Sequence, residues 1–254
     1  AGPGDEVVES ELGLDFAHGF TVDQKRVGGD AGPRALGRRL LADEAFDRQL
    51  PEPLHDKAPR YFTPATVARK AARLLAPRPG MTVLDVGSGV GKFCIVAAQE
   101  VPTATFVGVE WRPQLIRIAM LLARQTATTN ARFILADALD VDWSSYDSFY
   151  FFNPFAEHLF DPDEVLDTTI DLDPASFTRY VNEVRHRLGS APIGTRVATY
   201  HGFGGIRPAG YDRVGRDDSL LELWIKTSLH DHVATPAREI SAILTRFPSP
   251  AGRR

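Results

Sequence analysis

Two kinds of apolar segment alternate through the middle of the chain. Short continuous runs read as buried strands: Val83-Leu84-Asp85-Val86, Thr105-Phe106-Val107-Gly108-Val109-Glu110, Arg132-Phe133-Ile134-Leu135-Ala136-Asp137-Ala138 and Ser148-Phe149-Tyr150-Phe151-Phe152. Between them, apolar residues fall at helical spacing. Val67, Ala71, Leu74 and Leu75 make one stripe, started by the hydroxyl cap and proline of Thr63-Pro64 and stopped by Pro77, Pro79 and Gly80. Cys94 to Ala98 follows the first run as a helix, and Pro113 opens another with Leu115, Ile118, Ala119 and Leu122. Pro174 to Leu188 turns Phe177, Val181, Val184 and Leu188 inward and is closed by Gly189. Thr195 to Tyr200 is a fifth strand; Tyr211 to Val214 and Leu220 to Ile225, joined through Gly215-Arg216-Asp217-Asp218, form a hairpin. Strand followed by helix, repeated, predicts an α/β fold with a doubly wound, mostly parallel sheet and a ligand at the carboxyl ends of its strands.

Both ends of the chain lose this order. Residues 1–33 are rich in Gly, Asp and Glu without a sustained apolar period and read as irregular. From Arg34 to Leu50, the positions of Leu36, Leu40, Leu41, Phe46 and Leu50 fit a helix that Gly37 weakens, and Arg34, Arg38 and Arg39 sit together on it. Pro51, Pro53 and Pro59 punctuate a linker. The organisation expected is an N-terminal extension over 1–59, one domain over 60–228 and a tail over 229–254 with a short helix from Ala237 to Leu244.

Composition narrows the function. At 254 residues the chain has room for one α/β domain plus an extension. A formal net charge of −4 argues against a generally basic nucleic-acid surface. No apolar run reaches the roughly 20 residues needed to cross a bilayer, and no signal-peptide pattern opens the chain, so no membrane partner is expected and the reading is cytoplasmic. The single cysteine, Cys94, excludes an intrachain disulfide and reads as a small core residue. His230-Asp231-His232 lacks any further ligand spacing, and no metal is expected.

The chemistry centres on Asp85-Val86-Gly87-Ser88-Gly89-Val90-Gly91-Lys92-Phe93. Glycines between a strand and a helix allow positive φ and let backbone N–H groups approach a ligand. A P-loop is excluded by Val86 and Phe93, which stand where glycine and Ser or Thr belong. A dinucleotide fingerprint lacks its last glycine, replaced by Lys92. The pattern Asp-x-Gly-x-Gly-x-Gly resembles that of the class I, Rossmann-like S-adenosylmethionine-dependent methyltransferases. Glu110 closes the second run about 20 residues on, where a ribose-binding acid belongs. The resemblance implies a seven-stranded sheet with an antiparallel C-terminal hairpin, S-adenosyl-L-methionine as cofactor, and a base-contacting acid at Asp137. Cofactor-binding residues expected on this basis are Asp85, Gly87, Ser88, Gly89, Gly91, Glu110, Trp111, Asp137, Ala138 and Tyr61. Tyr61 belongs to Tyr61-Phe62-Thr63-Pro64, similar to the Tyr-Thr-Pro turn that lies over the cofactor in some amino-group methyltransferases.

The fourth strand runs into Asn153-Pro154-Phe155, beside the glycine loop in the resembled fold. An amide, an outward carbonyl and a flat aromatic face suit a flat or amino-bearing acceptor. The segment is similar to the Asn-Pro-Pro-aromatic signature of amino-group methyltransferases, with one proline instead of two, and faintly to the non-SET histone-lysine methyltransferases. Asn153, Pro154 and Phe155 are therefore the expected catalytic residues. Asp161 to Asp173 is an acidic, proline-containing connection suited to a lid, and His158 and His201 fall near the site. The function expected is methyl transfer to a nucleophile, nitrogen favoured over oxygen because no base or metal stands out. The acceptor stays open between protein side chain, small molecule and nucleic-acid base. Two alternatives remain at this stage: an NAD(P)- or flavin-binding oxidoreductase on the same strand, loop and helix, or a non-catalytic S-adenosylmethionine-binding protein.

Overall fold

The computed structural model describes residues 43–229 apart from 163, 167, 168 and 217–219. Its centre is β1 (Thr82–Val86), buried at every position after Thr82 because parallel neighbours flank it and helices cover both faces. With β2 (Thr105–Glu110), β3 (Ala131–Leu135), β4 (Ser148–Phe151), β5 (Arg196–Tyr200), β6 (Tyr211–Arg216) and β7 (Leu221–Lys226) it forms a seven-stranded sheet in the order β3-β2-β1-β4-β5-β7-β6. β1 to β5 are parallel, whereas β7 runs antiparallel between β5 and β6. Strand order reverses between β1 and β4, so the crevice at their carboxyl ends is the natural ligand site of such a sheet.

Each face of the sheet has its own apolar layer. On one side, α4 (Ala65–Leu75), α5 (Lys92–Glu100) and α6 (Pro113–Gln125) bury Leu75, Ile95 and Leu122 against Phe106 and Tyr150. On the other, α7 (Pro174–Ser190) packs Phe177, Val181, Val184 and Leu188 against Phe149, Phe151 and Trp224. The first layer reaches back beyond residue 60. Phe46, Leu50, Ala58 and Phe62, from α1 (Asp43–Asp47), the turns after it and α3 (Ala58–Tyr61), are buried in it.

Three local expectations are corrected. The proline-rich stretch after Leu50 is two short helices, α2 (Glu52–His55) and α3, in which Pro53 and Pro59 occupy first-turn positions that need no N–H partner. α4 begins at Ala65 with Pro64 as its cap residue, and Thr63 makes no cap because its Oγ1 lies 3.0 Å from the Tyr150 hydroxyl. α7 runs through Gly189 to Ser190. Its last carbonyls are satisfied from the hairpin, where the Tyr211 hydroxyl donates to the Leu188 carbonyl at 3.0 Å and Lys226 Nζ donates to the carbonyls of Leu188 and Gly189. The helix therefore needs no glycine turn to end. The helices expected at 34–42 and 237–244, and His230-Asp231-His232, lie outside the described residues. Among the described residues no helix is long and apolar enough to cross a membrane.

Candidate active site

The glycine loop leaves β1 with Gly87 at φ +75°, Gly89 at +54° and Gly91 at +73°. The Gly87 and Ser88 N–H groups both donate to the Val109 carbonyl, at 3.0 and 2.9 Å, which ties the loop to the end of β2. The glycines differ in what they make room for. A Cβ on Gly87 would stand 2.7 Å from Cβ of Pro154, whereas one on Gly91 would meet the Phe133 ring at 2.6 Å and Ala119 at 2.8 Å. Gly87 and Gly89 line the principal cavity; Gly91 faces the sheet and serves helix packing. Ser88 also points away from that cavity: its buried hydroxyl lies where a Gly108 side chain would be, 2.6 Å from a Cβ built there.

Glu110, at the end of β2, lies in the cavity wall and is 6 % exposed. Its Oε1 accepts the N–H groups of Trp111 and Arg112, each at 3.0 Å, and its Oε2 accepts that of Gly89 at 3.1 Å. Three of the roughly four acceptor positions of a carboxylate are thus used, and the remaining one is on Oε2. Burial raises its pKa, opposed by the Arg112 guanidinium and by the backbone donors.

Asp137 and Ala138, just beyond β3, line the same cavity with Trp111. Asp137 Oδ1 accepts the Leu139 N–H at 2.8 Å and Oδ2 accepts the Tyr180 hydroxyl at 2.5 Å. The Ala138 carbonyl accepts Trp143 Nε1–H at 2.9 Å. Asp85 behaves differently. At 3 % exposure it sits beneath the loop in a smaller adjoining cavity with Thr63, Lys92 and Phe93. The Cys94 thiol donates to its Oδ2 at 3.5 Å. Desolvation raises the Asp85 pKa to about 8, the thiol contact opposing this and the Glu110 charge adding to it.

β4 delivers Asn153, Pro154 and Phe155 to the opposite wall of the principal cavity. Asn153 adopts φ +42°, a left-handed conformation that asparagine tolerates better than most residues, and its N–H donates to the Gly202 carbonyl at 2.9 Å. Its Oδ1 is buried without a hydrogen-bond partner. Phe155 stacks on Tyr180 with ring centroids 4.8 Å apart. His201, also at positive φ (+58°), packs against Phe152 and Tyr200 and stands next to the Gly202 turn, outside the cavity lining.

Two straps cover the site. Tyr61, Phe62 and Arg60 come from the first; Leu166, Ile170 and Leu172 come from the connection suited to a lid, and His158 lies just before it. Lys57 Nζ donates to the carbonyls of Val165 at 2.9 Å and Leu166 at 2.7 Å, and the Tyr61 hydroxyl donates to the carbonyl of Glu164. Burial and neighbouring carboxylates push the Tyr61 phenol up to about 12, so it stays protonated at neutral pH. Arg112 Nη1 pairs with Glu157 Oε2 at 2.9 Å, and Glu157 Oε1 accepts the Leu166 N–H at 2.6 Å. His158 Nδ1 accepts the Asp173 N–H at 3.1 Å, and burial lowers its pKa, so the ring is neutral and set in orientation.

Asp85, Gly87, Ser88, Gly89, Glu110, Trp111, Asp137, Ala138, Tyr61, Asn153, Pro154 and Phe155 thus line one or other of the two adjoining cavities, Ser88 only the smaller one, and Gly91 is turned towards the sheet. Sequence reasoning passed over Tyr180, Arg112 and Glu157 as site residues. Tyr180 lies one helical turn from Phe177, so the α7 stripe was the available signal; Arg112 and Glu157 carry none beyond their charge.

Residues 77–186 match the sequence model of a methyltransferase domain. The chain is 41 % identical over 63 residues to the arsenite methyltransferase of Halobacterium salinarum, covering 24 % of this chain and 16 % of that one. It is 35 % identical over 81 residues to the nocamycin O-methyltransferase of Saccharothrix syringae, covering 32 % and 28 %. It therefore spans less than a third of the length of these curated relatives. Among solved structures, an RNA methyltransferase from Salinibacter ruber, crystallised with S-adenosyl-L-homocysteine, superposes with a TM-score of 0.45 at 18 % identity over 74 % of this chain and 99 % of that one. TrmN from Thermus thermophilus superposes at 0.47 with 22 % identity over 66 % and 49 %. What these comparisons establish is a stretch similar in sequence to a methyltransferase domain, residues 77–186, which holds the glycine loop, Glu110, Asp137 and Asn153.

Proposed function

We propose that the protein binds S-adenosyl-L-methionine between the glycine loop, Glu110 and Asp137 and transfers its methyl group to a nitrogen held at Asn153. The cofactor would supply a methyl carbon on a sulfonium, already activated for attack, which leaves the protein the work of alignment and water exclusion. The residues fit such a ligand. The loop brings backbone close to the cavity, Glu110 keeps an acceptor position on Oε2 for a ribose hydroxyl, and Trp111 and Ala138 offer apolar surface beside Asp137 for a base.

The observation that favours nitrogen is the buried Asn153 Oδ1 without a partner. Asn153 lines the cavity, and a buried amide oxygen left unpaired costs about 1–3 kcal/mol, so a turn of the side chain towards the cavity would let it take a donor brought by the ligand. An amino or amide N–H is such a donor. As it approaches, Asn153 Oδ1 would accept one N–H and orient the nitrogen lone pair, while Phe155 and Pro154 confine the group sideways. The lone pair forms the new N–C bond, the C–S bond breaks with its electrons going to sulfur, and the nitrogen proton leaves to water. Neutral His158, fixed through Nδ1, adds no charge to compete for the acceptor.

Calorimetry with S-adenosyl-L-methionine, S-adenosyl-L-homocysteine and NADH tests the reading. Both adenosyl ligands should bind the wild-type protein, and Glu110→Ala should weaken them by about 10-fold or more, the contribution of a hydrogen bond to a charged group. Binding of NADH with no adenosyl binding would return the loop to a dinucleotide site. With cofactor binding established, Asn153→Ala should leave the S-adenosyl-L-homocysteine Kd within about threefold while removing methylation of amine acceptors in a screen. Unchanged amine methylation would refute the role of Asn153.

A further inference from the structure

Tyr180 belongs to no adenosyl-binding motif, and its helix packs on the far face of the sheet from α4, α5 and α6. Yet its hydroxyl reaches Asp137 Oδ2 at 2.5 Å, across 43 residues of sequence, and the residue lines the principal cavity. Asp137 is thereby gripped at both oxygens, by the Tyr180 hydroxyl on Oδ2 and by the Leu139 N–H on Oδ1 at 2.8 Å. Two donors on different oxygens fix both the rotation of the carboxylate about its own axis and its tilt. One donor would fix neither.

The ring is immobilised in turn. Phe155 stacks on it at 4.8 Å and 19°, His158 at 5.6 Å and 28°, Trp111 meets it edge-on at 6.3 Å, and the Arg179 guanidinium lies 4.8 Å from its centroid. A phenol packed on several sides has little freedom to swing, so the position of its hydroxyl is set before any ligand arrives.

We infer that Tyr180 is a positioning residue that makes the Asp137 carboxylate selective for a purine carrying an exocyclic 6-amino group, and so sets the nucleobase specificity of the cofactor site. This rests on the cofactor reading above. A carboxylate is an acceptor only: a 6-amino group donates to it, whereas the 6-oxo group of a hypoxanthine presents another acceptor and is repelled. Discrimination depends on the unused lone pairs pointing where the amino group will lie. Freed from the hydroxyl, the carboxylate can turn to reduce its contact with a 6-oxo group, and it must be ordered at the moment of binding to meet a 6-amino group.

The experiment compares S-adenosyl-L-homocysteine with S-inosyl-L-homocysteine by calorimetry on the wild-type protein, Tyr180→Phe, Asp137→Asn and the double variant. Phenylalanine keeps the ring stack and removes only the hydroxyl. Wild type should prefer the adenosyl ligand on the order of 10- to 100-fold, the scale of a hydrogen bond to a charged group against its absence. In Tyr180→Phe that preference should fall about 3- to 10-fold, the scale of one neutral hydrogen bond. In the Asp137→Asn background Tyr180→Phe should change the preference no further, because the hydroxyl acts through the carboxylate. A purely structural role would weaken both ligands equally. An unchanged or increased preference in Tyr180→Phe, or an equal loss with and without Asp137, overturns the assignment. Failure of the wild-type protein to bind either ligand overturns the cofactor reading, and this inference with it.

Discussion

Asp85 is the acid most at odds with its surroundings, and replacing it with asparagine should change how stability depends on pH. It is 3 % exposed, its only described hydrogen bond is from the Cys94 thiol, and the charge acting on it is that of Glu110, which repels an anion. Its pKa rises from an ordinary 3.8 to about 8. In the unfolded chain Asp85 ionises near pH 4, whereas in the folded protein it keeps its proton to about pH 8. Between these values the native state binds more protons than the unfolded state, so folding stability contributed by this residue is full below pH 4 and is lost as pH rises towards 8. Each unit of separation is worth about 1.4 kcal/mol, and roughly four units give a ceiling on the order of 6 kcal/mol. An asparagine side chain cannot ionise and has nearly the same shape. Urea unfolding of wild type and Asp85→Asn at pH 5, 6, 7 and 8 isolates this term, since the other titrating groups are common to both proteins. The stability of the variant relative to wild type should rise by about 1 kcal/mol per pH unit across that range. A relative stability that stays flat, or falls with pH, would show that Asp85 is ionised in the native protein and refute the reasoning.

Gly91→Ala should cost about 2–5 kcal/mol, from the left-handed backbone and the overlap with Phe133 and Ala119, and lower Tm by about 5–15 °C in a thermal melt followed by circular dichroism. Lys92 is 3 % exposed and its Nζ pairs with Asp43 at 2.8 Å and Asp47 at 2.7 Å. Lys92→Met should cost about 1–3 kcal/mol after allowance for the exposed Asp43, and limited proteolysis should cleave near residues 43–50 sooner than in wild type. Burial and the adjacent Asp85 push the Cys94 thiol up, so a thiol reagent at pH 8 should leave the native protein unlabelled and label one cysteine in urea.

What could be read in the sequence was whatever depends on a residue and its near neighbours. The run from Thr105 to Glu110 is β2 with those bounds, and the acids expected after the first three strands stand at the carboxyl edge of the sheet, because an apolar run ending in a carboxylate has one way to bury the run and present the acid. The glycine loop was legible for the same reason. The contacts that could not be read span long stretches of chain. Thr63 precedes a proline and a helical stripe, the pattern of a cap, yet its hydroxyl is within hydrogen-bonding distance of that of Tyr150, 87 residues on. Lys57 reaches carbonyls of residues 165 and 166, and Tyr180 reaches Asp137. Backbone carbonyls have no sequence signature, and a tyrosine beside an apolar helical stripe looks like any packing residue. Ser88 shows the converse: the motif puts it in the loop, but the Cβ missing at Gly108 draws its side chain towards β2.

The contact between Gly87 and Pro154 shows why the glycine loop and the Asn153-Pro154-Phe155 turn cannot vary independently. β1 and β4 pair in parallel with Val86 opposite Phe151, so the chain leaves both strands at the same level, and one residue beyond Val86 and three beyond Phe151 the two turns touch. A side chain at Gly87 would have to displace the Pro154 ring as well as adopt φ +75°. Glycine is therefore required there by the approach of β4 as much as by any ligand. Methyl transfer asks for reacting atoms about 3–3.5 Å apart and in line, a tolerance that flexible loops on separate elements do not meet. Here the separation of the glycine loop from the Asn153-Pro154-Phe155 turn is set by the hydrogen-bond register of adjacent central strands, which is among the least deformable features of the fold. The bonds that join the two straps, from Lys57 and Tyr61 to the carbonyls of residues 164–166 and from the Leu166 N–H to Glu157, lie outside this strand pairing. Alignment for the proposed transfer thus rests on the sheet and not on the segments that cover the cavity.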